Sequence, residues 1–359
     1  MKNKQWANEL SRVLRVNYPI VQAPMLGVST PEMVAASAEA HILGSLALGD
    51  LPAASCRELI RKTKSLTYQP FATNIFVHDI PTVSEELKLH YSKTKRFIEV
   101  LARQHQLHVE LPDLEEIKLT DYHDQVDVLI SEHCPIVSFT FGMPDVQSVQ
   151  KLKENGTLLI GTATSVAEAK QLEILGMDSI CVQGFEAGGH RGSFVQDDIP
   201  RIGGISLLAH IYDSVSVPLI YAGGIYNAKT LLAAKALGAQ GFQVGSLLLC
   251  STESELQAFE KRRLQNVQEH DIILTKSFSG RYARGIRNIF TENLDNSTHI
   301  LPYPYQNKLT AELRKVAKQH QNTDFVNLWV GQSLHAFSEA STVDIIEQLI
   351  KEVETSHDL

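Results

Sequence analysis

The chain has 359 residues, of which 43% are hydrophobic and 21% charged, and its formal net charge is −8 at pH 7. These proportions are typical of soluble globular proteins and exclude collagen-like, coiled-coil and disordered chains. The negative charge, without a concentrated basic segment, argues against a nucleic-acid partner.

No apolar run approaches the ~18 residues needed to span a bilayer, and the amino-terminal segment is too polar for a signal peptide. We therefore expect a cytoplasmic protein without a membrane partner. The four cysteines are scattered and form no C-x-x-C pair, so we expect reduced thiols packed in the core. Histidines and carboxylates show no metal-ligand spacing, and no metal is expected.

Eight short apolar or β-branched runs follow one another along the chain and predict strands. They lie at 19–25, 43–48, 70–77, 135–142, 157–163, 179–184, 217–224 and 241–249. Segments of helical periodicity separate most of them, for example 30–40, 143–156, 165–176 and 227–238. Eight alternations of strand and helix predict parallel βα units that close into a TIM (β/α)8 barrel.

Two segments depart from this alternation. Residues 79–132 are long and highly charged, which predicts a helical insertion within the barrel. After the eighth strand, helical patterns at 253–270, 308–320 and 334–354 predict an additional region, and we expect 253–330 to cover one mouth of the barrel. No linker or repeat separates these parts, so residues 1–359 are interpreted as one decorated unit.

The glycines that follow the last two predicted strands indicate where a phosphate would bind. In a TIM barrel the active site lies at the carboxyl ends of the strands, and phosphates often bind after strands seven and eight. Gly223-Gly224 follows the seventh strand, and Gly245-Ser246 follows the start of the eighth run. Backbone without bulky side chains lets a phosphate approach amide N–H groups closely. Tight βα turns are the alternative explanation for either pair alone.

The sixth strand is followed by VQGFEAGGHRG, in which His190 stands directly after Gly188-Gly189. In a barrel, this loop lies beside the loops after strands seven and eight, which we call the phosphate-type loops. Histidine exchanges a proton near neutral pH, so the sequence predicts that His190 is catalytic and faces a flat ligand lying against the glycines.

Polar side chains near several strand ends suit an uncharged heterocycle with mixed donors and acceptors, such as a flavin edge. They include Gln22, Asn74, Gln183 and Gln243. The sequence contains no G-x-G-x-x-G, Walker A, G-x-S-x-G or H-E-x-x-H motif. A phosphate-bearing cofactor held by a barrel beneath one histidine is the interpretation that remains.

Several longer blocks resemble the nitronate monooxygenase family, formerly called 2-nitropropane dioxygenases, and in particular its class I enzymes. They are QAPM (22–25), NIFV (74–77), SFTFGMP (138–144), VQGFEAGGHRGSF (182–194), YAGGI (221–225), QVGS (243–246), SGRYARGIRN (279–288), PYPYQNKLTAELR (302–314) and NLWVGQ (327–332). The resemblance covers nearly the whole chain.

The resemblance implies a TIM barrel with a smaller extra domain and non-covalently bound FMN. Positions that match the family's FMN contacts are Ala23, Pro24, Met25, Asn74, Gln183, Gly188, Gly189, Gly223, Gly224, Gln243, Val244, Gly245 and Ser246. His190 matches the active-site histidine. Many relatives carry threonine at the position of Ser246, but the hydroxyl is kept.

His133, Tyr303 and Lys308 are further candidates for the substrate pocket, and a lysine near a flavin would pair with the carboxylate of propionate 3-nitronate. The implied reaction oxidises an alkyl nitronate with FMN and O2 to a carbonyl compound and nitrite, as a detoxification. His190 would stabilise the nitronate as an imidazolium or deprotonate a neutral nitroalkane. These two roles need opposite protonation states.

Two other classes of enzyme share the fold and are alternative interpretations: flavin-dependent enoyl-acyl-carrier-protein reductases and NAD(P)H:quinone reductases. Such enzymes usually show Glu-Gly where this chain has Gln183-Gly184, and they tend to lack an insertion such as 79–132. A non-catalytic flavin-binding protein is a further alternative. Bleaching of the flavin without oxygen by NADPH, by a nitronate or by neither would separate the three classes.

Overall fold

The computed structural model describes residues 6–195, 198–334 and 337–356. The eight predicted strands are present and form one parallel sheet whose order is β1-β9-β8-β6-β5-β4-β3-β2, while β7 (Gly189–His190) belongs to a second sheet. They are β1 (Ile20–Gln22), β2 (Ser45–Gly49), β3 (Ala72–Phe76), β4 (Ile136–Thr140), β5 (Leu158–Ala163), β6 (Ser179–Gln183), β8 (Leu219–Ala222) and β9 (Gly241–Val244). A parallel bridge between Val21 and Leu43 joins the two ends of this sheet. The predicted TIM barrel is therefore confirmed.

Helices fill the connections between the strands. They are α1 (Glu9–Leu14), α2 (Pro31–Glu39), α3 (Ala53–Leu66), α4 (Glu85–Gln104), α5 (Tyr122–Ser131), α6 (Val146–Glu154), α7 (Val166–Leu175), α8 (Gly204–Tyr212), α9 (Ala228–Ala236), α10 (Ala258–Gln265), α11 (Ile289–Asp295), α12 (Tyr305–Gln319) and α13 (Thr342–Thr355). Several begin at a Ser, Thr, Asp or Asn whose side chain accepts a hydrogen bond from the first turn, as Ser165 does for α7.

The segment between β3 and β4 contains α4, a short 3-10 turn and α5, and α5 packs between α3 and α6. After β9 come α10, the strands β10 (Ile272–Thr275) and β11 (Ala283–Ile286), and then α11 and α12. Helix α13 packs on α2 and α9 and so completes the helical layer. Residues 335 and 336 of the predicted helical segment 334–354 lie outside the described residues.

Side chains inside the barrel follow the period of two that strands impose. Near the amino ends of the strands, Val21, Ala72, Ile136 and Ile160 pack with Leu14 of α1 into a buried apolar cluster. Further along the same strands the inward positions become polar. The core therefore closes one end of the barrel and leaves the carboxyl end for a site.

All four cysteines are buried and unpaired, as predicted. In the described ranges, no helix combines the length and apolarity needed to cross a bilayer. Within the same ranges, no group of three or more histidine, cysteine or carboxylate side chains is arranged to hold a metal ion.

Candidate active site

A cavity of about 520 Å³ opens at the carboxyl end of the barrel. Its wall takes inward-facing residues from successive strands, such as Asn74, Thr140 and Gln243, and then the loops that follow those strands. Helix α12 and residues 327–329 form the opposite wall. The volume lies within the range of small-molecule sites, which is roughly 300–1,000 Å³.

The glycine-rich loop after β6 is braced by two side chains of its own sequence. The Gln183 amide donates to the carbonyl of His190 at 2.9 Å and accepts from the amide of Gly192 at 2.9 Å. The guanidinium of Arg191, which is 2% exposed, donates to the carbonyls of Gly184 at 2.6 Å and Gln183 at 2.9 Å. These bonds fold the loop back on itself and hold His190 at the cavity wall.

A second sheet fixes the same loop from outside. Gly189–His190 forms a two-residue strand, β7, which pairs antiparallel with Ala283 and Arg284 of β11. The amide of Arg191 extends this pairing by donating to the carbonyl of Tyr282 at 2.8 Å. The histidine is thus positioned by a segment far along the chain.

His190 is enclosed by aromatic rings and one hydroxyl. Its ring centroid lies 5.4 Å from that of Phe141 and 5.3 Å from that of Trp329. Its Nε2 lies 2.8 Å from the Oγ of Ser279. Burial, together with the positive charges of Arg281 and Arg314, lowers the pKa of His190 from 6.5 to about 3. The imidazole is therefore neutral at pH 7.

Two arginines near His190 have no carboxylate partner among the described residues. The guanidinium of Arg314 lines the cavity and donates to the carbonyls of Thr310 at 3.2 Å and Asn307 at 2.8 Å, and to the Asn307 amide oxygen at 3.0 Å. Arg281 donates to the carbonyl of Ser193 at 3.1 Å and lies 4.5 Å from the Phe141 ring centroid. Burial lowers the pKa of Arg314 to about 10, which leaves it charged. The site therefore favours an anion.

The loops after β8 and β9 present free backbone donors. No acceptor among the described residues takes a hydrogen bond from the amide N–H of Gly223, Gly224 or Ser246. Gly223 and Gly224 have φ of 132° and 68°, a region that favours glycine, and both line the cavity. The Oγ of Ser246 accepts from the amide of Gly331 at 2.9 Å. Unpaired N–H groups at these two strand ends are suited to a phosphate.

Tyr303 contributes a hydroxyl to the cavity wall. Its side chain is buried, and the hydroxyl has no hydrogen-bond partner in the described part of the chain. Burial and the nearby Asp50 carboxylate raise the pKa of Tyr303, so the hydroxyl keeps its proton. The ring packs edge-on against Phe141 at 5.3 Å between centroids. Tyr303 is therefore a donor available to a bound molecule.

Most of the residues predicted from the sequence meet around this cavity. Those that line it are Ala23, Pro24, Met25, Asn74, Gln183, Gly188, Gly189, His190, Gly223, Gly224, Gln243, Gly245, Ser246 and Tyr303.

Three predicted residues do not line the cavity. His133 is exposed in the turn that leads into β4, at the opposite end of the barrel, so its assignment to the substrate pocket is corrected. Val244 is buried between barrel and helices because the residue next to inward-facing Gln243 must point outward. Lys308 forms an ion pair with buried Asp50 at 2.8 Å.

The sequence interpretation missed four residues of the site: Ser279, Arg281, Arg314 and Trp329. Arg314 shares one face of α12 with the cavity-lining residues Asn307, Ala311 and Lys318. Their helical spacing was the available signal. Nothing local marks Ser279 or Arg281 as neighbours of His190.

Comparison with known proteins agrees with this geometry. Residues 7–352 match the family model described as nitronate monooxygenase. A probable nitronate monooxygenase of Staphylococcus aureus is 36% identical over 349 residues, which cover 96% of this chain and 97% of the relative.

Two solved structures are similar over almost their full length. The nitroalkane oxidase from Streptomyces ansochromogenes superposes with a TM-score of 0.86 at 33% identity, covering 96% of this chain and 97% of that one. FabK from Thermotoga maritima gives a TM-score of 0.75 at 25% identity, covering 97% and 96%.

Fold and site together define a (β/α)8-barrel enzyme with a neutral histidine above a ligand cavity. The chain belongs to the nitronate monooxygenase family and is an oxidoreductase.

Proposed function

We propose that the protein oxidises alkyl nitronates with O2 to a carbonyl compound and nitrite, using non-covalently bound FMN. Propionate 3-nitronate is the substrate we favour, and its removal would be a detoxification. Family membership and the similarity to a nitroalkane oxidase support the reaction type.

The described residues fit FMN at the barrel mouth. The free amide N–H groups of Gly223, Gly224 and Ser246 would hold the phosphate. Asn74 and Gln243 would face the polar edge of the ring, with 23–25 beside it. Bound FMN would supply the electron transfer from substrate to O2. The Gln183 amide is engaged inside its own loop, so its main role is to shape that loop.

Neutral His190 is in the form that can accept a proton, so we assign it the role of base rather than of imidazolium. Its lowered pKa makes it a weaker base than free imidazole, so proton transfer also depends on cations that stabilise the anion formed. When a neutral nitroalkane binds, His190 would take the proton from the carbon that bears the nitro group. Arg281 and Arg314 supply the positive potential that attracts the resulting anion, or a nitronate that is already ionised. Because burial keeps His190 uncharged, the electrostatic stabilisation of the anion comes from Arg281 and Arg314.

Substrate orientation would come from Tyr303 and Arg314 on the wall opposite the barrel. The hydroxyl of Tyr303 completes no hydrogen bond to a described residue, although it lies near the Asp50 carboxylate, and it would donate to a nitronate oxygen. The guanidinium of Arg314, which donates to neutral oxygens alone among the described residues, would donate to a substrate carboxylate. In this proposal Arg314 takes the role first expected of Lys308.

A single observation carries the proposal: His190 lies at the wall of a glycine-lined cavity beside Arg281 and Arg314, which have no carboxylate partner among the described residues. To test it, the purified protein would be mixed with propionate 3-nitronate in air while oxygen and nitrite are followed. NADPH oxidation would be followed in a parallel cuvette, and released flavin would be identified after denaturation.

We expect the released flavin to be FMN. We also expect rapid oxygen uptake, with nitrite and the carbonyl product formed in equal amounts and without any nicotinamide. Consumption of NADPH without nitrite would instead place the protein with the reductases. Bound flavin without turnover by either route would favour a non-catalytic flavoprotein.

A further inference from the structure

The hydroxyl of Ser279 has a complete set of hydrogen-bond partners that includes His190. Its Oγ lies 3.1 Å from the carbonyl oxygen of Arg281, 3.3 Å from the amide nitrogen of Arg281 and 2.8 Å from Nε2 of His190. A hydroxyl has one proton to donate and two lone pairs that accept. The three partners therefore use its full capacity.

The Arg281 backbone decides how that capacity is divided. The carbonyl oxygen can only accept, and Ser279 is its donor among the described residues. The amide N–H can only donate, so it occupies one lone pair of the hydroxyl. With the hydroxyl proton directed to the carbonyl, one lone pair remains, and Nε2 of His190 must carry a proton to use it.

The opposite arrangement leaves a polar group unpaired. If Ser279 donated its proton to Nε2, the carbonyl of Arg281 would lose its donor inside a site where Ser279 is 1% exposed. Buried carbonyls without a donor are rare because their desolvation is not repaid. The hydrogen-bond count thus favours one tautomer of the imidazole.

The second ring nitrogen faces the cavity. His190 lines the cavity, and its Nδ1 makes no hydrogen bond to a described residue. It is also not among the polar atoms that are both buried and unpaired, so it is open to the cavity. A neutral imidazole that is protonated at Nε2 carries its lone pair at Nδ1.

We propose that Ser279 is a positioning residue that fixes His190 as the Nε2-protonated tautomer, so that Nδ1 is the basic nitrogen presented to substrate. This inference extends the proposed function by naming the atom that takes the substrate proton. Charged groups around the imidazole act consistently with it. Arg281 and Arg314 oppose a second proton on the ring, whereas Asp50 favours one and is outweighed.

The test uses the holoenzyme labelled with 15N-histidine and the long-range 1H–15N NMR spectrum, which distinguishes the two neutral tautomers. A His190→Gln variant identifies the signals of this residue among the 14 histidines. We expect His190 to be protonated at Nε2 in the wild type. Signals of the Nδ1-protonated tautomer or of an imidazolium in the wild type would overturn the proposal.

Ser279→Ala and Ser279→Thr provide the matched comparison. The alanine variant should show a mixture of tautomers, whereas threonine, which keeps the hydroxyl, should restore the wild-type spectrum. With a neutral nitroalkane, kcat should fall roughly 10–100-fold in Ser279→Ala, less than the ~10⁴-fold cost of a fully wrong histidine tautomer. Turnover of a preformed nitronate should change much less, because no proton is taken from carbon.

A single unchanged tautomer and unchanged kcat in Ser279→Ala would contradict the positioning role. Circular dichroism of both variants controls for folding, and the wild-type spectrum is informative even if the alanine variant fails to fold. An Nε2-protonated wild type that turns over neither nitroalkane nor nitronate would support the tautomer inference and defeat the proposed function.

Discussion

His190 is kept uncharged by its surroundings, while Arg281 and Arg314 carry the positive charge of the site. An imidazolium in the same place would repel both guanidinium groups and lose its hydration. A neutral base beside fixed cations has a chemical advantage. It can remove a proton from carbon, and the anion that forms is stabilised without any further movement of charge.

Replacing His190 separates proton removal by the base from stabilisation of the anion by the two arginines. We expect His190→Ala to retain bound flavin, because the free amides of the phosphate-type loops are untouched. Turnover of a neutral nitroalkane should fall about 10²–10⁴-fold, the usual contribution of a general base, and turnover of a preformed nitronate should fall less. Steady-state kinetics with both substrate forms and the flavin absorbance provide the measurement.

The exposed His133 offers a matched control for that experiment. His133→Ala removes an imidazole at the other end of the barrel, and we expect wild-type kinetics from it. Wild-type turnover of nitroalkane by His190→Ala would refute the catalytic assignment.

Arg314 should determine the preference for substrates with a carboxylate tail. In Arg314→Gln we expect KM for propionate 3-nitronate to rise roughly 10–100-fold, since a hydrogen bond to a charged group contributes about 1.5–3 kcal/mol. KM for a nitronate with an uncharged tail should change little.

Lys308→Gln is the appropriate comparison because Lys308 lies nearby on α12 but pairs with Asp50. It should lower stability without changing that preference. If Lys308→Gln raised KM selectively for the carboxylate substrate and Arg314→Gln did not, our assignment would be reversed.

At the scale of elements, the glycine-rich loop lies between the barrel and the segment 328–333. An added Cβ at Gly188 would lie 2.5 Å from the amide nitrogen of Gly331 and 2.6 Å from the carbonyl carbon of Val330. Gly331 in turn donates to Ser246, and Ser333 donates to the carbonyl of Gly224 at 3.2 Å. Crowding at Gly188 would therefore disturb both loops expected to hold a phosphate.

Gly188→Ala should weaken flavin binding as well as folding. Both atoms that a Cβ would meet are backbone, so relief requires the segment 328–333 to move. We expect a loss of about 1–3 kcal/mol, as for other overpacked sites, and a lower flavin content after dialysis. Gly203→Ala is the control, since its Cβ would meet nothing within 4 Å. Equal flavin retention by the two variants would show that the segment tolerates the displacement.

The sequence predicted the elements better than it predicted their contacts. Apolar runs with flanking glycines reveal parallel strands because each strand is buried over its length. The two-residue strand β7 has no such signal, and its partner β11 lies far along the chain, so neither the second sheet nor the approach of Ser279 to His190 was predictable.

The places of His133 and of the Val244 side chain, by contrast, follow from simple rules of barrel geometry. A residue that precedes a strand, such as His133, lies at the opposite end of the barrel from residues that follow strands. A period of two also requires Val244 to point away from the side occupied by Gln243.

At the scale of the whole molecule, acidification should affect folding through buried and surface histidines with opposite signs. Burial lowers the pKa of His78 to about 4, so His78 acts in the same direction as His190. The pKa of His190 is lowered to about 3 in the folded chain, against ~6.5 when unfolded. Between these values the unfolded chain binds the extra proton, so stability is lost as pH falls below ~6.5.

On the surface, hydrogen bonds to Asp145 and Asp121 raise the pKa of His123. Its contribution is present below ~6.5 and is lost as pH rises through its folded pKa.

Urea unfolding of the apoprotein between pH 5 and 7 would separate the two effects. As pH falls, the free energy of unfolding of the wild type should decrease by up to ~1.4 kcal/mol per pH unit on account of His190, which is the limit for one proton. His190→Gln should lack that part of the pH dependence. His123→Gln should cost less than ~1 kcal/mol, since its ion pairs are half exposed, and the cost should appear only at the acid end. If the free energy of unfolding depended on pH identically in the wild type and in His190→Gln, the imidazole would be charged or solvated in the folded protein. The assignment of His190 as a neutral base would then be wrong.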